Sequence, residues 1–180
     1  VDPASLPEGR GRDYQQRSLD GFNALVAGDA ARFAKVKVNT FAPAAPVFAA
    51  PGTVDVLLTF RNVHNWRSNG QEAGYFKAFF DALKPGGVLG VVEHRARADV
   101  PADDKSGYVG VDQVVALATA AGFVLDASSE INANPADTRD HPNGVWMLPP
   151  GNRHERADAA RYQAIGESDR MTLRFVKPAG

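Results

Sequence analysis

The chain has 180 residues, a length that suits one domain with a hydrophobic core. Its formal net charge of −1 argues against a nucleic-acid or anionic-membrane partner, and no apolar run reaches the ~20 residues of a membrane helix. Because the chain has no cysteine, disulfides and thiolate metal sites are excluded.

Helical and strand patterns alternate along the chain. Leu19, Phe22, Leu25 and Val26 recur at helical spacing, whereas residues 54–60 form a nearly continuous apolar run, which is typical of a strand buried on both faces. The patterns predict helices at residues 14–27, 71–83, 111–121 and 157–165. They predict strands at residues 36–41, 54–60, 88–93, 123–131 and 171–176.

This alternation predicts an α/β fold with three layers and a mostly parallel sheet. In such a sheet the C-terminal ends of the parallel strands lie along one edge, and ligands bind in the crevice outside that edge. The residues that follow Phe41, Phe60 and Glu93 are therefore expected at the functional edge.

Residues 75–93, with the sequence YFKAFFDALKPGGVLGVVE, resemble the class I S-adenosylmethionine-dependent methyltransferases. In that family an aromatic-rich helix precedes a Lys-Pro-Gly-Gly turn and an apolar strand that ends in an acidic residue. Residues 54–60 resemble the family's fourth strand, and residues 171–176 resemble its antiparallel last strand. The resemblance implies one Rossmann-like domain over residues 1–180, with S-adenosylmethionine as its cofactor.

One feature of the family, a Gly-x-Gly-x-Gly loop after the first strand, has no counterpart in this sequence. Gly9-Arg10-Gly11 follows no predicted strand, so we expect the first strand, its loop and its helix to precede Val1. By resemblance, Asp2 then ends the second strand and accepts hydrogen bonds from the two ribose hydroxyls. The alternative is that Asp2 is a frayed terminal residue.

Three side chains on the expected functional edge suit proton transfer. His64 and His94 have unperturbed pKa values near neutrality, so either could remove a proton from a hydroxyl or an amine. Glu93 could orient a histidine or act as the base itself. The alternative for each histidine is a hydrogen bond to the backbone of a loop.

The same three side chains are a two-histidine, one-carboxylate set, which can hold a divalent metal. Glu93 and His94 are adjacent, however, and would point to opposite sides of a continuing strand. We therefore predict that this set binds no metal.

The resemblance also implies a set of cofactor contacts: Asp2, Phe41, Thr59, Phe60, Arg61 and Asn62. Arg61 and Asn62 would meet the carboxylate of the cofactor, for which arginine gives a bidentate match. The alternative for Arg61 is a salt bridge that closes its loop.

Three aromatic residues, Trp66, Tyr108 and Trp146, are predicted to line an apolar substrate pocket. Trp146 lies in a long irregular run before the last strand, and long loops in compact domains are often functional. Its alternative role is to fill the core beneath that loop.

The predicted reaction is a direct displacement, in which a nucleophile on a small molecule attacks the activated methyl group of the cofactor. Such catalysis is largely alignment, so it needs few catalytic side chains. One alternative is a non-catalytic interaction domain of the same fold that has lost cofactor binding. Another alternative, a nicotinamide-dependent oxidoreductase, fits the architecture but not the antiparallel last strand.

Four segments are similar to a group of bacterial predicted methyltransferases: residues 59–66, 91–95, 130–135 and 166–171.

Overall fold

The computed structural model describes residues 1–101 and 103–179, and contacts within the chain divide it into two units, Val1–Ala50 and Pro51–Gly180. Of the helices in this described part, none combines the length and the apolar character that crossing a bilayer requires.

The first unit is helical. It contains a 3-10 turn at Pro3–Ser5, α1 at Arg10–Gly28 and α2 at Ala30–Phe33. The Asp29 carboxylate caps α2, because Oδ1 accepts from the backbone N–H of Arg32 at 3.0 Å. The strand predicted at residues 36–41 is wrong, since this segment is irregular. The backbone bond from Asp2 N to the Phe41 carbonyl, at 2.8 Å, does not extend into the ladder that defines a strand.

The second unit is built on a four-stranded sheet with the order β1-β2-β4-β3. Its strands are β1 at Val54–Phe60, β2 at Leu83–His94, β3 at Val124–Ser129 and β4 at Arg170–Val176. β1 is parallel to β2, and β4 is antiparallel to both β2 and β3, so β4 alone runs against the other three strands. The prediction of an α/β fold with a mostly parallel sheet and an antiparallel last strand is confirmed.

The helices of this unit are α3 at Val63–Ser68, α4 at Glu72–Ala82, α5 at Val111–Ala120 and α6 at Ala159–Ile165. α4 packs against β2 and against α5, and α5 packs against β3. These helices cover one face of the sheet. Because successive side chains of a strand point to opposite faces, every second side chain along the paired parts of β2 and β4 is buried beneath the helices. The side chains that are almost fully buried in this layer include Phe76, Phe79, Leu89, Val91, Leu173 and Phe175. The expectation that residues 54–60 are buried on both faces is wrong for β1, since Val56, Leu58 and Phe60 are 55%, 59% and 56% exposed.

The Lys-Pro-Gly-Gly segment forms a bulge at the start of β2. Leu83 pairs with Val54, whereas Val88 pairs with Val56, so the intervening residues loop out of the ladder. A Cβ atom at Gly87 would lie 2.8 Å from the carbonyl oxygen of Lys84, which explains why glycine is required there. The predicted chain reversal thus leads directly from the end of α4 into β2, the strand that carries Glu93 and His94.

Candidate functional site

The C-terminal ends of β1 and β2 bring together the three residues predicted to be catalytic. After β1, Arg61 takes a left-handed backbone conformation with φ 56°, and its N–H donates to the Val92 carbonyl at 2.7 Å. This turn starts α3, a helix that the sequence patterns did not reveal. His64 lies in the first turn of α3 and so meets Glu93 and His94 at the end of β2.

Glu93 is completely buried and accepts three hydrogen bonds. The donors are the backbone N–H of His64 at 3.1 Å, the His64 ring at 3.0 Å through Nδ1, and the backbone N–H of His94 at 2.8 Å. Because an ionised carboxylate only accepts, Nδ1 of His64 is the donor to Glu93, and Nε2 is the remaining ring nitrogen. Nε2 of His64 has no hydrogen-bond partner in the described part of the chain. The ring of His64 is therefore oriented by the Glu93 carboxylate.

His94 is the second histidine of the cluster, and its ring centroid lies 5.3 Å from that of His64. Nδ1 of His94 lies 2.5 Å from the hydroxyl oxygen of the buried Ser168. Burial lowers the pKa of His94 to about 4, and this effect outweighs the opposing influence of the Glu93 carboxylate. His94 is therefore neutral at neutral pH, where it can donate or accept a hydrogen bond but carries no charge.

His64, Glu93 and His94 each offer a ligand atom within 4.8 Å of the others. The expectation that Glu93 and His94 point apart does not hold for the tips of their side chains, because their ligand atoms lie within 4.8 Å of each other. That these residues work without a metal stays a prediction.

The predicted cofactor residues fall into two groups, one in each unit. Within residues 1–50, Asp2 and Phe41 are joined by their backbone bond, and the Asp2 carboxylate accepts from the N–H of Ala4 at 3.0 Å. Asp2 is therefore held in a local turn rather than frayed, and its contact with a ribose stays a prediction.

The other group follows the end of β1. Thr59 is buried, and its hydroxyl has no hydrogen-bond partner among the described residues. The ring of Phe60 is exposed, and the Asn62 amide donates to the Phe60 carbonyl at 3.1 Å. The side chain of Arg61 is exposed and makes no ion pair within the described ranges, so the alternative of a loop-closing salt bridge has no support there.

A cleft of about 830 Å³ includes two of the three predicted pocket residues, Tyr108 and Trp146. The Trp146 ring lies 6.4 Å from that of His64, and the Tyr108 ring lies 6.4 Å from that of His94. Trp66 is not in this cleft, because it stacks on Tyr75 at 4.2 Å. The cleft therefore shares its aromatic wall with the histidine pair.

The loop that carries Trp146 is fixed against the loop before Tyr108. Gly144 has φ 64°, and a Cβ atom there would overlap the carbonyl oxygen of Ser106. The N–H of Val145 donates to that same oxygen at 2.8 Å. The close approach of the two loops, which depends on a glycine, sets the position of one cleft wall.

A buried polar network lies behind the cleft and was not predicted from the sequence. Asp137 accepts hydrogen bonds from the Tyr108 hydroxyl at 2.9 and 3.0 Å, from Nε2 of His141 at 2.9 Å and from the N–H groups of Arg139 and Asp169. Burial, together with the adjacent Asp137 carboxylate, holds the pKa of Tyr108 well above its usual value. Tyr108 is therefore a fixed, neutral hydrogen-bond donor.

Asp169 connects this network to the end of β2. Arg95 forms a bidentate pair with it, at 2.9 Å from Nε and 2.8 Å from Nη2. Burial alone would raise the pKa of Asp169, but the hydrogen bonds from Arg95 and from the Asn134 N–H hold it below its usual value. Asp137 and His141 are four residues apart but lie in an irregular segment, so their spacing gave no signal for this network.

Comparison with solved structures shows which proteins share this fold. A S-adenosylmethionine-dependent methyltransferase from Methanosarcina mazei matches with a TM-score of 0.51 and 13% identity, over 80% of this chain and 67% of that one. A putative sarcosine dimethylglycine methyltransferase from Galdieria sulphuraria matches with a TM-score of 0.52 and 14% identity, over 85% of this chain and 64% of that one. The [4+2]-cyclase SpnF matches with a TM-score of 0.54 and 18% identity, over 87% of this chain and 63% of that one.

No family model matches the chain, and no curated protein matches it at a significant level. At identities this low, the likeness concerns the fold, and the chain spans about two thirds of the length of the structures it matches. The chain has the fold of the class I S-adenosylmethionine-dependent methyltransferases.

Proposed function

We propose that this chain contributes to a S-adenosylmethionine-dependent methyltransferase that modifies a hydroxyl or an amine on a small molecule. The observation that carries the proposal is the His64–Glu93 pair, with 3.0 Å between Nδ1 and Oε1, at the functional edge of the sheet. The fold supports the reaction class but does not fix it, since a protein named as a cyclase has the same fold.

The residues after β1 fit the charged end of the cofactor. Arg61 presents a guanidinium group without an ion pair in the described part of the chain, and a carboxylate can accept two parallel hydrogen bonds from it. The exposed ring of Phe60 offers an apolar surface beside it. When bound, S-adenosylmethionine supplies an electrophilic methyl group.

The side chains of this chain then have separate roles. Glu93 holds the Nδ1 proton of His64, so that Nε2 can accept the proton of the substrate hydroxyl or amine. His94 stays neutral and can hydrogen-bond the same substrate group. Trp146, whose ring lies 6.4 Å from that of His64, bounds the space in which the substrate would lie.

Calorimetric titration of S-adenosylhomocysteine tests cofactor binding, with the chain expressed together with any natural sequence that flanks it. We expect binding, and we expect Arg61→Gln to raise Kd about tenfold because a charge-assisted hydrogen bond is lost. Arg156→Gln removes another exposed arginine, one outside this site, and should leave Kd unchanged.

Absence of any binding would contradict the enzyme and favour the non-catalytic domain of the same fold. An equal effect of the two arginine variants would show that Arg61 does not meet the cofactor. His64→Gln should leave Kd unchanged, because the histidine is assigned to the substrate and not to the cofactor.

A further inference from the structure

The cleft beside the histidine pair has the size of a site for a small molecule. Its volume of about 830 Å³ falls within the ~300–1,000 Å³ that such sites occupy. Trp146 and Tyr108 line it and also face the rings of His64 and His94. His64 and His94 do not line the cleft themselves, so a molecule in the cleft must extend past the rings of Trp146 and Tyr108 to present a nucleophile to them.

The acidic side chains that line the cleft already have partners. Asp99 pairs with Arg97, with 3.1 Å between Oδ2 and Nη2, and Asp140 lies 3.7 Å from the same guanidinium. Asp104 accepts from the backbone N–H of Ser106 at 2.9 Å and from its hydroxyl. These carboxylates are therefore poorly placed to recognise a cationic substrate.

Two of the basic side chains that line the cleft have no ion pair in the described part of the chain: Lys105 and Arg153. The guanidinium of Arg153 lies 5.8 Å from the centre of the Trp146 ring, and the Arg153 N–H donates to the Trp146 carbonyl at 2.8 Å. The backbone bond fixes the start of this side chain beside the aromatic face. A flat apolar surface and an uncompensated positive charge thus lie next to each other.

We propose that the acceptor is a small organic acid with a ring-sized apolar body. Its carboxylate binds Arg153 and Lys105, its ring rests on Trp146, and its hydroxyl or amine is directed to His64. This inference rests on the proposed methyl transfer for the role of His64. Recognition of the acid by the cleft, however, needs no cofactor.

The test measures binding of aromatic acids and their neutral counterparts in the absence of cofactor. Benzoate, 4-hydroxybenzoate and 3,4-dihydroxybenzoate are titrated at low ionic strength, each against the amide of the same shape, and the resonances of the Trp146 indole are followed by NMR. We expect at least one acid to bind about tenfold more tightly than its amide, because a charged hydrogen bond is added.

Arg153→Gln and Lys105→Gln should each reduce this preference, and the double variant should abolish it. Arg161→Gln is the matched control, because its guanidinium lies 5.3 Å from the ring of Tyr162 but does not line the cleft. The preference should survive in that variant.

Equal binding of acids and amides, no binding of any probe, or an equal effect of Arg161→Gln would overturn the inference. Since S-adenosylhomocysteine binding is measured separately, the two proposals can fail independently. Acid binding without cofactor binding would keep the cleft assignment and remove the methyltransferase.

Discussion

Two histidine–carboxylate pairs lie in the same unit, and their geometry is nearly the same. The His64 and Glu93 side chains approach to 3.0 Å, and those of His141 and Asp137 approach to 2.9 Å. Both carboxylates have fully buried side chains. A distance alone would therefore assign both pairs the same role.

The surroundings of the two pairs differ. Asp137 also binds the Tyr108 hydroxyl and two backbone N–H groups, and so ties three loops together. The His141 side chain lines the cleft but is only 1% exposed, whereas that of His64 is 10% exposed and its ring lies 6.4 Å from that of Trp146. The proposed function assigns reactivity to the pair with the more exposed histidine, and a structural role to the pair whose carboxylate has further hydrogen-bond donors.

The largest change that we expect is in the rate of methyl transfer, which should distinguish His64 from His141. His64→Gln should lower the rate of methyl transfer about 10²- to 10⁴-fold, because a general base is lost. His141→Gln should mainly lower the free energy of unfolding and should have only a small effect on the rate of methyl transfer. Steady-state kinetics and urea unfolding on both variants measure the two effects. Equal losses of rate in the two variants would remove the distinction.

The next effect tests the structural role of Asp137 through the free energy of unfolding. Asp137→Ala should lower the free energy of unfolding by about 3 to 5 kcal/mol, because it leaves the Tyr108 hydroxyl and two N–H groups without an acceptor. Tyr108→Phe removes one of these hydrogen bonds and should cost about 1 kcal/mol. Urea unfolding monitored by circular dichroism measures both. A cost for Asp137→Ala no larger than that for Tyr108→Phe would contradict the structural role.

The smallest change that we expect is in how the free energy of unfolding depends on pH. The pKa of His94 is lowered to about 4, whereas an unfolded histidine titrates near 6.5. Between these pH values the unfolded chain binds a proton that the folded chain does not, so stability falls as the pH drops. The contribution of His94 is fully present above pH ~6.5 and should be lost by pH ~4, a change of about 2 to 3 kcal/mol.

His94→Gln cannot take up this proton, so its unfolding free energy should depend less steeply on pH over the same range. Urea unfolding at several pH values compares the two proteins. Parallel curves would show that His94 is not held neutral by the fold.

The pattern of the sequence was informative where neighbouring residues decide the structure. The apolar, β-branched run at residues 54–60 and the aromatic stripe of α4 predicted their elements closely, because both signals lie within a few neighbouring residues. The ends of β1 and β2 then brought His64, Glu93 and His94 together, as the rule for parallel strands predicts.

Features that depend on distant residues were missed. Asp137 meets Tyr108 and Asp169 across 29 and 32 residues, and no local period reports such contacts. The segment at residues 36–41 has strand-like composition, but a strand also needs a partner, which composition does not supply. The approach of the Glu93 and His94 side-chain tips to within 4.8 Å depends on side-chain torsions, so the rule of alternating directions did not capture it.

The position of β4 has a consequence for how the protein is made. This strand comes last among the four in the sequence, yet it lies between β2 and β3 in the sheet. While residues 170–176 are still inside the ribosome, β3 lacks the strand that joins it to the rest of the sheet. Until residues 170–176 leave the ribosome, β3 and the side of β2 that pairs with β4 therefore stay open to pairing with other polypeptides.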